Sequence, residues 1–463
     1  MSDKNNVREA FQQISSVDEI LSKIKDKENI PDHLLKTKIR ELLDSLREDI
    51  QNQKIPKNIS KYISTEVEKI INSNKSSSLK SIINGTGIIL NTGLGRAPIS
   101  KDIILSVADK IYPYSNLEVD QNTNKRSNRL DHIEPLINSL VGSEKSLMVN
   151  NNAAAVMIML NSLCKNRNVI ISRGEQVEIG GSFRIPDIIK SSGCKMIEVG
   201  TTNKTKLSDY ENAIDNKTSA ILVVHTSNYK VVGFTETVDF KQLATLCKER
   251  GVQLLFDLGS GAIYNSKSVN LPFERQINDY LKFGADIVTY SGDKLLGGIQ
   301  SGIISGNRKL VEKIYKNPMY RTLRCDKYRI SLMEEILRTY NSTTKINSNN
   351  LSINLFLRSR EELSHLADNI LSKVNKILKK KYNFKIVNTK VEAGSGSLPI
   401  EKIESIAISI GSQNISANKI SNTLRSSNIP VFNYINNDVV YIDLKAIPND
   451  QINVLIKQLN TCL

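Results

Sequence analysis

Cysteine is sparse in this chain of 463 residues, and no two cysteines stand close together. The five that occur are Cys164, Cys194, Cys247, Cys325 and Cys462. With an odd total and no C-x-x-C pair, they match neither a disulfide framework nor a zinc knuckle. We therefore expect free thiols in a reducing compartment, and we expect no metal site.

Long apolar runs are missing as well. The sequence contains no stretch of about 18 consecutive apolar residues, the length that a membrane-spanning helix needs. Residues 1–6 are polar and lack the apolar core of a secretory signal. Together these absences predict a soluble protein of the cytoplasm.

Two further patterns are absent, namely internal repeats and the G-x-G-x-x-G turn that opens a helix in dinucleotide-binding proteins. Residues 82–98 are punctuated by glycine but lack that turn, so we reject a Rossmann fold and expect a segment rich in β-structure. Arg96 closes the segment after Gly-Leu-Gly. It is either a surface residue at a helix start or an anion clamp, and the sequence leaves both interpretations open.

Basic residues are in excess, since 63 Lys and Arg face 48 Asp and Glu, for a formal net charge of +15. Such an excess favours a polyanionic partner such as nucleic acid. Lysine is abundant throughout the chain, so the charge alone favours nucleic acid only slightly. The length is sufficient for two or three domains.

Residues 1–75 predict a helical N-terminal domain. Apolar residues recur there at spacings of three and four within 17–24, 34–47 and 59–71, and charged residues of both signs cover the other faces. The polar run at 73–78 is the predicted linker.

An α/β domain is predicted over residues 80–325. Short apolar strands at 146–149, 169–172, 196–199, 220–225, 254–257 and 286–290 alternate with helical stretches, which is typical of a mainly parallel sheet. The loops after these strands then meet at one crevice. Residues 326–463 predict a smaller α+β domain, with a long helix at 328–340, strands at 405–410 and 439–444, and a tight turn at 394–399.

Two charged residues carry the central hypothesis. Lys294 lies in a glycine-rich loop that leaves the strand ending near residue 290, and Asp257 ends an earlier strand. In open α/β sheets, ligands bind beyond the carboxyl ends of the strands. A lysine that forms a Schiff base and an aspartate that keeps a pyridine nitrogen protonated are what pyridoxal phosphate requires. Gly292, Gly297 and Gly298 would allow a flat cofactor to approach the backbone closely.

Anion sites are predicted at two other places. Asn150, Asn151 and Asn152 join a strand to a helix start, where free N–H groups and the helix dipole suit a phosphate. An ordinary asparagine cap is the alternative. Arg321 and Arg324 would share one face if their segment is helical, and could then bind a small oxyanion. Scattered surface arginines are the alternative, and the pair by itself favours that alternative.

The order of these motifs resembles that of the bacterial selenocysteine synthases, the L-seryl-tRNA(Sec) selenium transferases. The resemblance covers nearly the whole chain, and its most specific parts are INGTG (83–87), LGRAP (94–98), SRGE (172–175), EIGGSFRIPD (178–187), GTTNKT (200–205), HTSNY (225–229), DLGSG (257–261) and SGDKLLGG (291–298). It implies a pyridoxal-phosphate enzyme of the aspartate-aminotransferase-like fold (fold type I).

Several roles follow from the resemblance alone. Lys294 would bind the cofactor and Asp257 its ring nitrogen, while Asn151, Asn152 and Ser291 would lie near its phosphate. Arg96, Arg321 and Arg324 would face the oxyanion of selenophosphate. The residue that stacks on the ring is left open among Glu175, Gln176 and His225. The helical domain would read the tRNA through its D-arm, and the subunits would form a large ring of dimers, a decamer by family likeness.

Three positions depart from the family pattern. Gly93 stands where asparagine is usual, Ile299 replaces a proline, and residues 431–435, which include Tyr434, stand where a Gly-Arg pair is common. Two alternative functions remain open: a lyase or aminotransferase acting on a small amino acid or amino sugar without tRNA, and a non-catalytic RNA-binding protein of the same fold.

Overall fold

The computed structural model describes residues 2–24, 30–75, 77–179, 183–226, 229, 231–264, 275–341, 349–395, 397 and 402–463. Parts of three predicted motifs, at 180–182, 227–228, and 396 with 398–399, lie outside the described residues. The chain divides into two compact units, Met1–Ile82 and Ile83–Leu463. None of the described helices is both long and apolar enough to cross a membrane.

The first unit is helical, as the spacing of its apolar residues predicts. Its helices are α1 (Ser2–Gln12), α2 (Val17–Lys23), α3 (Asp32–Gln51) and α4 (Ile59–Lys75). The buried face of α3 consists of Leu35, Ile39, Leu43, Leu46 and Ile50, each three or four positions from the next. The linker predicted at 73–78 begins too early, because α4 continues through Lys75.

The strands of the second unit are β1 (Ile83–Asn84), β2 (Lys145–Val149), β3 (Asn168–Ser172), β4 (Glu178–Ile179), β5 (Phe183–Arg184), β6 (Lys195–Val199), β7 (Thr218–Val224), β8 (Gln253–Gly259), β9 (Ile287–Ser291), β10 (Gly302–Gly306), β11 (Asn383–Val391), β12 (Ile403–Gly411), β13 (Val431–Phe432), β14 (Tyr434–Asn436) and β15 (Val439–Asp443). Its helices are α5 (Lys101–Ile111), α6 (Glu134–Val141), α7 (Asn152–Cys164), α8 (Ile185–Ser191), α9 (Leu207–Ala213), α10 (Phe240–Arg250), α11 (Ile277–Phe283), α12 (Arg308–Tyr315), α13 (Met319–Leu323), α14 (Lys327–Arg338), α15 (Leu351–Leu357), α16 (Arg360–Lys373), α17 (Lys376–Lys381), α18 (Ala417–Arg425) and α19 (Ile452–Cys462).

The largest described sheet runs in the order β2-β10-β9-β8-β7-β3-β6. The neighbours from β9 to β6 pair in parallel, while β10 is antiparallel to both β9 and β2. Strands β3 and β9 are buried at every position, which explains why they read as continuous apolar runs. The mainly parallel sheet is therefore confirmed. Strand β10 escaped prediction because it begins and ends with glycine, which is depleted in strands.

A second sheet, in the order β11-β12-β15-β14, is antiparallel and packs on a separate apolar core. The strand predicted at 405–410 lies within β12, and the strand predicted at 439–444 extends one residue beyond the end of β15. The expectation that residues 82–98 are rich in β-structure is wrong, because only Ile83 and Asn84 form a strand there, paired with β13. The boundary predicted at residue 325 stays a prediction.

Candidate active site

Asp257 lies on β8 and has 4% of its surface exposed. Nδ2 of Asn152 donates to its Oδ1 at 2.7 Å, and Oγ1 of Thr289 donates to the same oxygen at 3.3 Å. Burial raises the pKa of the carboxyl, whereas the Asn152 hydrogen bond and the positive charge of Lys294 lower it. Lys294 and Asp257 therefore lie close enough to interact.

The loop that carries Lys294 is pinned to the strands around it. The backbone N–H of Leu295 donates to the carbonyl of Ser260, just beyond β8, at 3.0 Å. The N–H of Gly297 donates to the carbonyl of Lys294 at 2.9 Å, which closes a tight turn. Lys294 itself has 5% of its surface exposed. The fold thus fixes a buried amine beside a buried carboxylate.

The glycines of this loop are closely approached by other parts of the protein. A Cβ atom on Gly292 would lie 2.2 Å from Oγ of Ser301, and one on Gly297, where φ is +72°, would lie 2.4 Å from Oδ1 of Asn350. A Cβ on Gly298 would lie 2.9 Å from the carbonyl of Gly292. Atoms of the protein itself therefore approach these glycines closely, and the expectation that a cofactor also lies against them stays a prediction.

The three asparagines after β2 take different roles. Asn151 caps α7, because its side-chain oxygen accepts from the N–H of Ala154 at 2.8 Å. Asn152 instead reaches Asp257, a contact that the sequence did not predict. Oδ1 atoms of Asn150 and Asn152 are buried without a hydrogen-bond partner among the described residues. Their proximity to a cofactor phosphate, like that of Ser291 at the end of β9, stays a prediction.

Arg96 pairs with the residue that precedes Lys294. Its Nη1 lies 3.0 Å from Oδ2 of Asp293, whose side chain is 6% exposed. The backbone of Arg96 is left-handed, with φ at 66°, a conformation that costs a non-glycine residue about 1–2 kcal/mol. Such strain tends to occur at functional sites. The helix-start interpretation is wrong, since α5 begins at Lys101, five residues further on.

The other two arginines do not share a helical face. Arg321 lies on α13, but that helix ends at Leu323, and Arg324 is extended with ψ at 145°. Arg324 instead pairs its backbone with Val149 at the end of β2, and Asn150 donates to the carbonyl of Leu323 at 3.0 Å. The arginine segment is therefore attached to the turn that carries Asn152.

Of the three candidates for stacking on a cofactor ring, His225 lies beside Asp257, because its backbone N–H donates to the Asp257 carbonyl at 2.9 Å. Nε2 of Gln176 donates to the half-exposed Glu198 at 2.7 Å. The carboxyl of Glu175 is buried and accepts from the N–H of Val224 at 3.1 Å. Which of them contacts a ring stays a prediction.

Glu175 provides a pH-dependent test of this part of the structure. Burial raises its pKa from an ordinary 4.5 to about 8. Between these values the folded chain keeps a proton that the unfolded chain has lost, so the Glu175 contribution to stability falls as pH rises through this window. Its full size is on the order of 5 kcal/mol. Glu175→Gln is expected to abolish this fall in stability with rising pH. Urea unfolding at pH 5, 6, 7 and 8 measures the effect.

The matched control is Glu249→Gln, which changes an exposed glutamate on α10 and should leave the pH dependence as it is in the unaltered chain. If the free energy of unfolding depends on pH in the same way in Glu175→Gln and in the unaltered chain, then Glu175 is ionised in the folded protein. That result would contradict this interpretation.

The described residues contain no group of three or more His, Cys, Asp and Glu side chains placed to hold a metal ion. The five cysteines are unpaired. The features that sequence reasoning missed are all contacts between distant segments: Asn152 with Asp257, Arg96 with Asp293, and Arg324 with Val149. Polar residues at the ends of neighbouring parallel strands were the one available signal for such contacts.

Comparisons with known proteins agree with the resemblance that the sequence motifs show. The model of the SelA family, L-seryl-tRNA selenium transferase, matches residues 82–448. The L-seryl-tRNA(Sec) selenium transferase of Clostridium botulinum (strain Loch Maree / Type A3) is 36% identical over 464 residues, which cover 98% of this chain and 99% of the relative. The protein of the same name from Alkaliphilus oremlandii is 37% identical over 469 residues, covering 98% of this chain and 99% of the relative.

Among solved structures, a D-glucosaminate-6-phosphate ammonia-lyase matches with a TM-score of 0.56 and 17% identity. The match covers 82% of this chain and 95% of that enzyme. At this identity the likeness concerns the fold alone. It supports the predicted fold class, an α/β core with a smaller α+β part, for the region that it covers.

Proposed function

Since the chain belongs to the L-seryl-tRNA selenium transferase family, we propose that it converts L-seryl-tRNA(Sec) to L-selenocysteinyl-tRNA(Sec). The cofactor is pyridoxal phosphate, and selenophosphate is the selenium donor. The seryl hydroxyl leaves, and selenium takes its place on the same carbon. The reaction takes place in the cytoplasm, where charged tRNAs are used.

The observation that carries the proposal is the interaction of Lys294 with Asp257. Both side chains are about 5% exposed or less, and both lie at the carboxyl end of the parallel sheet. The charge of Lys294 stabilises the charged form of the Asp257 carboxyl. A buried amine and a buried carboxylate in one crevice suit a cofactor that has an aldehyde and a basic ring nitrogen.

These residues fit pyridoxal phosphate in their chemistry. The Asp257 carboxylate accepts hydrogen bonds and would hold the proton of the ring nitrogen, Lys294 would attach to the aldehyde, and the N-terminus of α7 would receive the phosphate. When bound, the cofactor withdraws electrons from the α-carbon of the amino acid joined to it, which permits loss of the β-hydroxyl. Asn152 and Thr289 keep the Asp257 carboxylate in one orientation.

Lys294 has a second task in this proposal, namely to take and return the proton of the seryl α-carbon as a general base and acid. Arg96, Arg321 and Arg324 bind the oxyanion of selenophosphate, where guanidinium groups offer paired donors. Asp293, the residue before Lys294, pairs with Arg96 and would thereby hold the donor near the reacting carbon.

The first unit, Met1–Ile82, recognises the tRNA in this proposal. It has its own apolar core, in which α3 supplies five fully buried side chains. The net charge of +15 agrees with a polyanionic substrate. The complete enzyme is a homo-oligomer, proposed as a ring of dimers.

The test compares the full chain with a chain shortened to residues 83–463, which retains the candidate site. Each is incubated with L-seryl-tRNA(Sec) and selenophosphate, and the amino acid is released from the tRNA and identified by mass spectrometry. The full chain is expected to yield selenocysteine. The shortened chain should retain the cofactor but lose tRNA affinity by 10²-fold or more, roughly the loss of several phosphate contacts.

Release of free pyruvate from small amino acids, with no selenocysteine on tRNA, would favour a lyase instead. Equal tRNA affinity of the two chains would contradict the role of the first unit. A matched tRNA that carries serine but is not specific for selenocysteine serves as the control substrate.

A further inference from the structure

A single carboxylate, that of Glu118, lies among three arginines near the proposed donor site. Nε and Nη2 of Arg129 lie 2.9 Å and 2.5 Å from its Oε1, and Nη2 of Arg126 lies 3.1 Å from its Oε2. Nη1 of Arg324 lies 3.6 Å from Oε1. The first two arginines therefore make hydrogen bonds to Glu118, whereas Arg324 lies beyond hydrogen-bond distance.

Glu118 is held in place by its own segment. The N–H of Ser127 donates to the carbonyl of Glu118 at 3.0 Å, and the N–H of Asp120 donates to the carbonyl of Lys125 at 2.9 Å. Val119 and Arg126 pair as an antiparallel bridge between them. The carboxylate thus projects from a folded hairpin, and Arg126 reaches it from the opposite strand.

Arg129 connects this hairpin to the residue after Arg324. Its Nη1 donates to the carbonyl of Cys325 at 2.5 Å, while its other nitrogens hold Glu118. The side chain of Arg129 is only 12% exposed, compared with 32% for Arg324 and 79% for Arg126. All three side-chain nitrogens of Arg129 therefore donate to protein groups, and the more exposed Arg324 is the better placed of the two to bind a ligand.

The charges of these four side chains determine what the cluster can bind. Three guanidinium groups surround one carboxylate, so the cluster carries two uncompensated positive charges. Arg129 lowers the pKa of Glu118, which keeps the carboxylate ionised. A carboxylate without a closer partner would move onto Arg324 and occupy the donors that an oxyanion needs. In this structure both Glu118 oxygens are already engaged by other arginines.

We propose that Arg129 is a positioning residue for the donor site: it holds the Glu118 carboxylate 3.6 Å from Nη1 of Arg324, beyond hydrogen-bond distance, and so keeps the Arg324 guanidinium available to the oxyanion of the selenium donor. The proposal rests on the donor-binding role given to Arg324 in the proposed function. Arg324 is joined to the site through Val149 and Asn150, next to the asparagine that bonds Asp257.

The test is a double-mutant cycle in the holoenzyme with Arg129→Met, Glu118→Gln and the two combined. Arg129→Met should raise the KM for selenophosphate about tenfold, as expected when one charge-assisted hydrogen-bonding group is blocked. The KM for seryl-tRNA should not change. Adding Glu118→Gln should restore the KM for selenophosphate, because an uncharged amide does not compete for Arg324.

A merely structural role of Arg129 predicts a different result. The bond from Arg129 to Cys325 is also lost in the double variant, so a structural effect would persist there. If Glu118→Gln fails to restore the KM for selenophosphate, the proposal is wrong. An unchanged KM for selenophosphate in Arg129→Met would also overturn it. Arg129→Lys, which keeps the charge, should be affected less than Arg129→Met. Arg338→Gln, which breaks a half-exposed ion pair with Glu334 on α14, is the matched control.

Binding of inorganic phosphate to the holoenzyme, measured by titration calorimetry, gives a readout that does not depend on turnover. Its Kd should rise in Arg129→Met and recover in the double variant. If the unaltered chain transfers no selenium, the proposed function fails, but the phosphate series still tests the arginine arrangement. Equal phosphate affinity in all variants overturns the arrangement itself.

Discussion

Replacement of Lys294 by alanine is expected to lower turnover of seryl-tRNA by about 10³-fold or more, because the variant loses both the covalent attachment of the cofactor and the base for the α-proton. It should also remove the near-visible absorbance band of lysine-bound pyridoxal phosphate. Single-turnover kinetics and an absorbance scan of the purified protein measure the two effects.

Lys282→Ala is the control for this change. Lys282 is an exposed lysine on α11, twelve residues before Lys294, and its loss should alter neither the spectrum nor the rate. Should Lys294→Ala retain the absorbance band, the cofactor is bound to another amine, and the assignment of Lys294 is wrong.

The second large effect is expected for Asp257→Asn. The amide has the shape of the carboxyl and can still accept the hydrogen bond from Asn152, but it cannot hold a proton on the cofactor ring nitrogen. Loss of one such preorganised electrostatic partner typically costs about 10²–10³-fold in kcat. The thermal unfolding midpoint should fall, since the buried charge of Lys294 loses the carboxylate that interacts with it.

Measuring kcat well below the unfolding midpoint of Asp257→Asn separates the effect on catalysis from the effect on stability. Asn152→Ala is the companion variant. It leaves the carboxylate present but removes the hydrogen bond at 2.7 Å, so its kcat should lie between those of Asp257→Asn and the unaltered chain. Turnover of Asp257→Asn within a few-fold of the unaltered chain would exclude the proposed role of Asp257.

The sequence was most informative where a general rule of protein structure relates a sequence pattern to a location in the fold. Apolar runs such as β3 and β9 are buried on both faces, so hydrophobicity alone identifies them. In a parallel sheet the carboxyl ends of the strands meet at one edge, so Asp257 and Lys294 could be placed in one crevice from the order of the strands. The helical first unit followed in the same way from the spacing of Leu35, Ile39 and Leu43.

The contacts that orient the site could not be read from the sequence. Asn152 and Asp257 are 105 residues apart, and Arg129 and Cys325 are 196 apart. No local pattern records which polar groups meet across such distances. The glycines near Lys294 illustrate a related limit. They indicate that other atoms approach the backbone closely, but not whether those atoms belong to a ligand or to the protein.

Arg324 shows a third limit. The spacing of Arg321 and Arg324 suggested a common helical face, yet α13 ends at Leu323 and the next residue is extended. The pairing of Arg324 with Val149 and the bond from Asn150 to Leu323 favour that ending, and both partners lie far away in the sequence. Tertiary contacts here override a local helical tendency.

The most direct test of the account is to treat the purified holoenzyme with borohydride, digest it, and locate the modified peptide by mass spectrometry. We predict a phosphopyridoxyl group on Nζ of Lys294, and none on Lys282. A phosphopyridoxyl group on any other lysine, or none at all in protein that converts seryl-tRNA, would contradict the account.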